Sequence, residues 1–423
     1  MARARRASCR QRRQPFAERG SAGRERRAVR GVRALAVIDG EHYEPVVRDA
    51  LAALPYEIVG VWIAGGTEKL RGGEDYGAPV VASLDAGIAE HEPELVIDLS
   101  DEPVLGPRER FRVASRVLAR GLPYVGPDFR FDAPEFTPFA LPSLAVIGTG
   151  KRVGKTAVTG HVARLLARDR DVVVVSMGRG GPRDPEIAET PPTIEELVAL
   201  ARSGRHAASD YLETAALARV PTIGCRRAGG GLAGVTVSSN VREGALLAAA
   251  RHPDVVVFDG SGAAIPPIEV DLRILVTRGD AVHEGLNAYR VLVSDLVVFT
   301  GDGDEDAVRE LTDVPIVRAE LRLEPAEPLA GRRVAVFTTG PAPTEHLDAE
   351  VVAVSRNLAN RRALREDLQT IEAEVYLVEL KAAAIDVVAE AALARGAHVV
   401  LADNEVVAPE LDEALLGRIG VPA

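Results

Sequence analysis

The chain has 423 residues, of which 47% are hydrophobic and 4% are aromatic. This length predicts two to three domains, and the composition is typical of a soluble α/β protein. Apolar runs such as 172–175 are far shorter than the roughly 20 residues needed to cross a bilayer, so we expect no membrane partner. The only two cysteines, Cys9 in the tail and Cys225 in what we predict to be a polar loop, support neither a disulfide framework nor a zinc site. We therefore expect a cytoplasmic protein.

Charge is distributed unevenly along the chain. Residues 1–33 contain twelve arginines against Glu18 and Glu25, about +10, which leaves about −21 of the total of −11 for the rest. Residues 1–32 have no hydrophobic periodicity, so we predict a disordered Arg-rich tail. A nucleic-acid arm is the alternative interpretation. Because such an arm usually accompanies a basic folded domain and this body is acidic, we expect no nucleic acid partner.

Strand and helix patterns alternate from Arg33 onward, which predicts an α/β fold with parallel sheets covered on both faces. Pro-rich stretches at 131–142 and 324–331 read as linkers. We therefore predict a parallel-sheet P-loop NTPase core, flanked by smaller α/β domains. The expected units are the tail 1–32, an N-terminal domain 33–137, a nucleotide-binding domain 138–325 and a C-terminal domain 326–423.

A phosphate-binding loop is predicted at GTGKRVGKT, between a buried strand at 144–147 and a helix at 155–167. Its glycines, Gly150 and Gly154, turn backbone amides toward a polyphosphate, Lys155 reaches the terminal phosphates, and Thr156 coordinates Mg²⁺. The predicted nucleotide-binding residues are Gly148, Thr149, Gly150, Lys151, Arg152, Val153, Gly154, Lys155 and Thr156. Threonine occupies position 149, where the usual motif has glycine, and this register resembles the loop of dethiobiotin synthetase and related ligases.

Carboxylates near this loop are candidate metal ligands. Asp259 ends the apolar strand 254–259, which is the context of a carboxylate that holds Mg²⁺ behind a phosphate-binding loop. A Gly-rich segment, 178–186, adds Glu186 as a further candidate ligand and Asp184, which could orient a metal or a water. The predicted metal ligands are thus Thr156, Asp259 and Glu186. A solvated loop with ordinary surface charges is the alternative for 178–186.

Arginines beside glycines form two candidate anion sites. Arg179 and Arg183 lie in the segment 178–186, and Arg226 and Arg227 begin the segment 225–234. The guanidinium group binds phosphate or carboxylate through two parallel hydrogen bonds. Flexible surface loops would explain the glycines equally well.

Three weaker signals remain. The tetrapeptide TRGD at 277–280 resembles a guanine-reading motif with arginine replacing lysine. In the predicted C-terminal domain, which we also call the last or C-terminal block, SRNLANR carries Arg356, Asn357 and Asn360. Lys381 is one of only four lysines, with Lys69, Lys151 and Lys155. A solvated helix start explains Lys381 as well as a binding role does.

Several ordered segments resemble the cyclic 2,3-diphosphoglycerate synthetase family: VIDGEHY, GTGKRVGKT, MGRGGPRDPE, AGGGLAG with SSNVREGA, FDGSGAAIPP, SRNLANR and ELKAAAID. The resemblance covers nearly the whole chain from Arg33. It implies a cytoplasmic, magnesium-requiring ligase that uses ATP to close the two phosphates of 2,3-diphosphoglycerate into an intramolecular anhydride, with release of ADP and phosphate.

Residue roles follow for that reaction. Lys155 serves ATP, and Lys151 neutralises the transferring group. Because the acidic body does not attract a polyanion globally, local arginines have to bind this phosphorylated small molecule. Our inference assigns Arg179, Arg183, Arg226 and Arg227 to substrate binding, and the expected catalytic set is Lys155, Lys151, Asp184, Arg179 and Arg183.

Other classes stay open. A GTPase-like regulator is the first alternative, supported by TRGD. A partitioning-type ATPase is disfavoured, because such proteins place a signature lysine where this chain has Gly150. A ligase for another dianion fits the same motifs. A homodimer is compatible with all of these readings.

Overall fold

The structure is a computed structural model that describes residues 31–102, 104–203, 210–340, 343–379 and 384–418. The predicted tail lies outside the described residues except at its end, and so does Lys381. In the part of the chain that is described, no helix has the length and apolarity needed to span a membrane.

Strands and helices alternate along the chain, as the sequence predicts. The strands are β1 (Val32–Ile38), β2 (Tyr56–Ile63), β3 (Val80–Val81), β4 (Leu95–Asp98), β5 (Tyr124–Val125), β6 (Arg130–Phe131), β7 (Ser143–Gly148), β8 (Val172–Gly178), β9 (Glu186–Ala188), β10 (Thr222–Ala228), β11 (Ser238–Ser239), β12 (Val255–Asp259), β13 (Leu272–Gly279), β14 (Leu296–Gly303), β15 (Ile316–Pro325), β16 (Arg333–Phe337), β17 (Glu350–Ser355), β18 (Val375–Glu379) and β19 (His398–Val407).

The helices lie between these strands. They are α1 (Glu44–Ala53), α2 (Leu84–His91), α3 (Pro107–Ala119), α4 (Lys155–Leu166), α5 (Ile194–Arg202), α6 (Asp210–Ala218), α7 (Val241–Ala249), α8 (Asn287–Leu292), α9 (Glu305–Arg309), α10 (Arg361–Thr370), α11 (Glu390–Ala394) and α12 (Pro409–Leu416).

The first sheet belongs to the N-terminal block and has the strand order β3-β2-β1-β4-β5-β6. Its pairs are parallel except the short edge pair β5–β6. The central strand β1 is buried from Ala34 to Ile38, since helices cover both faces and every side chain there has to be apolar. The α/β class predicted from the alternating pattern is confirmed.

The second sheet is continuous through the central and C-terminal blocks, in the order β11-β10-β8-β12-β7-β13-β14-β15-β19-β18-β16-β17. The predicted nucleotide-binding and C-terminal domains thus share one sheet. Residues 316–319 of β15 pair in parallel with β14, and residues 320–325 pair antiparallel with β19. The stretch 324–331 therefore begins as the end of a strand. Alternating burial in β15, with Val317, Ala319 and Leu323 inside, is the pattern of a strand with one covered face.

Cys225 is also not in a loop, contrary to the expectation from sequence. It lies in β10, beside β8 in the sheet, and its fully buried side chain packs on Gly244 of α7. Polar residues follow Cys225 in the sequence, so the short apolar run Thr222–Cys225 was not recognised as a strand. Burial raises the pKa of the thiol to about 12, so Cys225 is a protonated core residue at neutral pH.

The helix that follows the phosphate-binding loop contacts the C-terminal block through two ionisable pairs. His161 of α4 lies 2.6 Å from Asp412 of α12, measured from Nε2 to Oδ1. Arg164 Nη1 lies 2.8 Å from Asp403 Oδ2 and also donates to the carbonyl of Leu217. Burial disfavours the charged carboxylate and raises the pKa of Asp403, although Arg164 opposes that shift. The contact thus ties α4 to β19.

We predict that Arg164→Ala lowers the free energy of unfolding by about 2 kcal/mol at pH 8, because it leaves the Asp403 carboxylate buried without its cation. A carboxyl group whose pKa is raised by folding favours the folded state at low pH and loses that contribution as the pH rises through its folded pKa. The loss caused by Arg164→Ala should therefore shrink between pH 8 and pH 4.5, because lower pH favours the protonated form of Asp403, which needs no cation. Urea unfolding at both pH values measures this difference.

Arg168→Ala is the matched control, since Arg168 is an exposed arginine just beyond the same helix. Its effect should stay within about 0.5 kcal/mol at either pH. An equal loss at pH 4.5 and pH 8 for Arg164→Ala would contradict the role given to the Asp403 carboxylate.

Candidate nucleotide and anion site

Strands β7 and β12 are neighbours in the sheet, so the phosphate-binding loop and Asp259 emerge side by side at its carboxyl edge. Lys155 Nζ donates to Asp259 Oδ1. Thr159, one helical turn after Lys155, donates to the same oxygen at 2.8 Å. All three side chains are buried. Two residues that the sequence predicts independently, Lys155 and Asp259, thus form one charged centre.

The second carboxylate oxygen of Asp259 faces a pair of hydroxyl groups. Thr214 Oγ1 lies 3.4 Å from Asp259 Oδ2, and Ser176 Oγ lies 3.3 Å from Thr214 Oγ1. Thr159, Thr214 and Ser176 were not predicted from the sequence. Thr159 was within reach of the prediction, because residues four apart on a helix share a face. Thr214 was not, since it reaches the site from α6 through tertiary packing.

The loop itself has a strained conformation between Gly148 and Lys155. Gly154 has φ +84° and Arg152 has φ +62°, both in the left-handed region. A methyl group on Gly154 would also lie 2.8 Å from Cδ1 of Leu321 and would crowd that side chain. Gly150, to which the sequence analysis gave the same role, does not have a left-handed φ. The turn depends on Arg152 and Gly154.

Threonines from the two following strands support this loop. Thr149 Oγ1 lies 3.1 Å from Thr277 Oγ1, and Thr300 Oγ1 donates to the carbonyl of Val153 at 2.7 Å. Thr277 begins the TRGD segment, whose Arg278 and Asp280 are exposed. That segment therefore borders the nucleotide loop.

Exposure divides the residues of the loop. Gly148, Thr149, Val153 and Lys155 are buried, Gly150, Gly154 and Thr156 are half-buried, and Lys151 and Arg152 are exposed. Thr156 is the second residue of α4, whose amino end adds positive potential at the same place. An anion at this loop would meet Lys151 from the solvent side and Lys155 from the protein side.

A second group of cations surrounds the tight turn Ser261–Ala264, which follows Asp259. The turn is closed by a hydrogen bond of 3.0 Å from the Ala264 amide to the Ser261 carbonyl. Arg227 Nη2 donates to that same carbonyl at 2.8 Å. A methyl group on Gly262 would lie only 2.7 Å from Nη2 of Arg179. Arg179 and Arg227, predicted in two separate loops, therefore meet at one turn.

Asn240 holds the two arginine-bearing segments together. Its Oδ1 accepts from the amide of Arg226 at 2.6 Å, and its Nδ2 donates to the carbonyl of Arg183 at 2.9 Å. Gly181 packs so closely on the carbonyl of Cys225 that a side chain there would overlap it. Asn240 was visible in the sequence only as part of SSNVREGA, and its bridging role depends on tertiary structure.

Other predicted residues are placed less centrally. The side chains of Arg183, Asp184 and Arg226 are exposed on these segments. Glu186 starts β9, and its register partners across the sheet are Gly224 in β10, Ser176 in β8 and Asp259 in β12. Glu186 and Asp259 are therefore three strand spacings, or about 14 Å, apart along the sheet. Its Oε2 lies 3.3 Å from the hydroxyl of Tyr211. The structure therefore does not bring Glu186 to Asp259 as a shared metal ligand would require.

The residues singled out in the last block have structural contacts. Asn357 Nδ2 donates to Asp367 Oδ2 at 2.8 Å, and Asn360 Oδ1 accepts from the amide of Ala363 at the start of α10. Arg356 is exposed. Asn357 and Asn360 are thus occupied in shaping the C-terminal block.

Comparisons with known proteins cover all three blocks. Family models described as cyclic 2,3-diphosphoglycerate synthetase match as an N-terminal domain at residues 33–132, a P-loop domain at 143–317 and a C-terminal domain at 325–405. The chain is 47% identical to the cyclic 2,3-diphosphoglycerate synthetase of Rubrobacter xylanophilus, with 91% of this chain and 96% of that protein covered. Its counterpart in Thermococcus kodakarensis is 41% identical, with 88% and 94% covered.

Among solved structures, LpxK from Aquifex aeolicus in complex with ATP is similar at 16% identity and a TM-score of 0.42. The similarity covers 67% of this chain and 90% of that one. It is too weak to bear on the fold or on the ligand.

We predict that Asn240→Ala loosens the two arginine-bearing segments, because it removes the bridge between the Arg183 carbonyl and the Arg226 amide. Amide hydrogen exchange should become about tenfold faster in residues 178–186 and 226–228, while β7 and β12 keep their protection. Asn360→Ala, which removes a helix cap in the C-terminal block, is the control and should leave these amides unchanged. Unaltered exchange in Asn240→Ala would show that the segments hold each other without the bridge.

Proposed function

The chain belongs to the cyclic 2,3-diphosphoglycerate synthetase family, and on that premise we propose that it is an ATP-dependent ligase that closes 2,3-diphosphoglycerate into its cyclic anhydride. The family resemblance inferred from the motifs is confirmed. One observation supports the reaction most: Asp259, the partner of Lys155, is separated by only Gly260 from the turn Ser261–Ala264 that Arg179 and Arg227 contact. Two polyanions would thus be held next to each other.

The nucleotide would bind along 148–156. Backbone amides of the loop and the amino end of α4 favour the phosphates, and Lys155 supplies a positive charge at the terminal ones. Lys155 Nζ now donates to Asp259. An arriving phosphate oxygen would replace that carboxylate as its acceptor, which frees Asp259 for other ligands.

Oxygen ligands at this place suit a hard cation. Thr156 offers a hydroxyl group at the start of α4, and Asp259 offers a carboxylate whose Oδ2 has a long contact of 3.4 Å with Thr214. Bound Mg²⁺ would be held by these two residues and would neutralise charge on the transferring phosphate. Glu186 is left out of this proposed site because of its distance from Asp259 along the sheet.

The bisphosphate substrate would bind against Arg179 and Arg227. Both guanidinium groups lie at the Ser261–Ala264 turn, where Arg227 donates to the Ser261 carbonyl and Arg179 lies beside Gly262. Each guanidinium matches the geometry of a phosphate or a carboxylate. Arg183 and Arg226, exposed on the same segments, would form the outer part of this cluster, and Asp184 would orient a water or the metal there.

The chemistry then requires two displacements at phosphorus. An oxygen of one substrate phosphate attacks the γ-phosphorus of ATP, and the bond to the β-phosphate oxygen breaks to release ADP. An oxygen of the second substrate phosphate attacks the phosphorus that was activated, and the added phosphoryl group leaves as inorganic phosphate. Every attacking group is already anionic, so catalysis consists of positioning and charge neutralisation by Lys155, Lys151 and the arginines.

We predict that Lys155→Ala abolishes formation of the cyclic product, because it removes the buried positive charge at the transferring phosphate. Purified protein is incubated with ATP, Mg²⁺ and 2,3-diphosphoglycerate, and product and ADP are followed by phosphorus NMR. Lys69→Ala, an exchange of a lysine in the N-terminal block, is the control and should keep wild-type turnover. Unaltered turnover in Lys155→Ala would remove the loop from the mechanism.

The same assay separates the proposed reaction from its alternatives. ADP release by the wild-type protein that does not depend on 2,3-diphosphoglycerate, without a cyclic product, would contradict the ligase. A GTPase-like regulator is kept as the second candidate because Thr277 of TRGD contacts the nucleotide loop. Preference for GTP over ATP in binding and turnover would favour it.

We further predict that Arg227→Gln raises the KM for 2,3-diphosphoglycerate by about ten- to a hundredfold, the equivalent of one lost charge-assisted hydrogen bond of about 1.5–3 kcal/mol. The Kd for ATP should change less than twofold, because Arg227 lies at the turn and not at the loop. Arg333→Gln, which removes an exposed charge at the start of β16, controls for the altered net charge. A rise in the Kd for ATP that equals the rise in KM would contradict separate sites for the two polyanions.

A further inference from the structure

Arg290 has one of the largest fully buried side chains in the described part of the chain, with 1% of its surface exposed. It belongs to α8, and its guanidinium group donates to backbone carbonyls in two other segments. Nε and Nη2 reach the carbonyl of Ala263 at 2.9 and 2.5 Å. Nη1 reaches the carbonyl of Leu232 at 3.0 Å and Oδ1 of Asn287 at 3.0 Å.

The charge of Arg290 is held without a carboxylate. Within the described ranges it forms no ion pair, and all its acceptors are carbonyl or amide oxygens. Burial lowers the pKa of Arg290 to about 10, so the group still carries its positive charge at neutral pH. A buried cation that is neutralised only by backbone dipoles is costly and has to be compensated by what it organises.

The two carbonyls belong to the segments that form the proposed substrate site. Leu232 lies in the segment 225–234, which also contains Arg227. Ala263 lies in the turn that Arg179 and Arg227 contact. These segments also touch each other, since the Ile265 amide donates to the Gly234 carbonyl at 3.0 Å. Gly234 has φ +88° and no room for a side chain beside Ile265. Arg290 therefore fixes the distance between the two segments from behind.

Helix α8 adds a connection to the N-terminal block. Tyr289 and Val291, on either side of Arg290, pack in one apolar cluster with Val113 and Val117 of α3. The position of the guanidinium group is thus set by the interface between the first two blocks.

We propose that Arg290 is a positioning residue for the phosphorylated substrate, which it serves by holding the Ser261–Ala264 turn and the 225–234 segment in the arrangement that Arg179 and Arg227 need. This proposal rests on the proposed function. Arg290 does not touch the substrate, because it lies beneath the turn. It also adds a third positive charge behind the turn, which strengthens the site for a polyanion.

The bridge between Ala263 and Leu232 requires the planar guanidinium group of an arginine. A guanidinium group presents donors in fixed directions and serves Ala263 and Leu232 at once, whereas an ammonium group is a point charge on a flexible stem. Arg290→Lys keeps the charge and loses the simultaneous bridge. It therefore separates positioning from electrostatics.

The experiment compares Arg290→Lys with Arg273→Lys in the phosphorus NMR assay. Arg273 is a half-buried arginine whose pKa is lowered by desolvation, but it lies near the amino end of β13, with Nη1 donating to the Val293 carbonyl and its guanidinium over Phe136. Both variants should lose stability. We expect Arg290→Lys to raise the KM for 2,3-diphosphoglycerate at least tenfold with the Kd for ATP within twofold, and Arg273→Lys to leave both constants within twofold.

Asn287→Ala is the milder variant in case Arg290→Lys does not fold. It removes one acceptor of Nη1, and we expect a KM increase of about threefold with an unchanged Kd for ATP. The proposal is overturned if the variants of Arg290 and Asn287 keep the wild-type KM, or if Arg273→Lys raises the KM to the same extent. Failure of the wild-type protein to convert 2,3-diphosphoglycerate would instead overturn the proposed function, so the two failures are distinguishable.

Discussion

The contact between Lys155 and Asp259 is the constraint on which the rest of the site depends. It exists because β7 and β12 are adjacent parallel strands, so that whatever follows each of them emerges at one edge of the sheet. The buried ammonium group and the buried carboxylate neutralise each other, and Thr159 and Thr214 add hydroxyl groups around the carboxylate. The pair is stable without a ligand, and a phosphate oxygen that arrives at the loop can replace the Asp259 carboxylate as the acceptor of Lys155.

The arginine cluster follows from the same edge. The turn Ser261–Ala264 begins two residues after Asp259, and Arg179 and Arg227 lie at the carboxyl ends of β8 and β10, which are on the same side of β12. An acidic protein can in this way present a local positive surface to a polyanion. The field of the turn and its surrounding arginines acts over a short distance, whereas the net charge is screened.

Much of this arrangement was readable from the sequence, and the reasons differ by element. Buried parallel strands such as β7 and β12 are nearly continuous apolar runs, so their positions and the Lys155 and Asp259 assignments follow from local pattern. The family was readable because ordered motifs span the chain. The role of Cys225 and the path of β15 were not, since a four-residue apolar run and an alternating charged strand resemble loop sequence.

Bridging residues were the hardest to predict. Asn240, Thr214 and Arg290 act through partners that are 14 to 58 residues away in sequence, and no spacing rule encodes such contacts. Glu186 is a different case: the sequence predicts it as a metal ligand together with Asp259, and the strand order separates the two residues by three strand spacings.

The double membership of β15 has a mechanical consequence. The first half of β15 is hydrogen-bonded to β14 of the nucleotide-binding core, and its second half is hydrogen-bonded to β19 of the C-terminal block. Rotating the C-terminal block would therefore break backbone hydrogen bonds to β14 and to β19. Hinged closure of the kind seen in two-lobed enzymes is therefore expensive here. The C-terminal block therefore keeps its position relative to the nucleotide-binding core, and access for two polyanions has to come from the segments at the carboxyl edge.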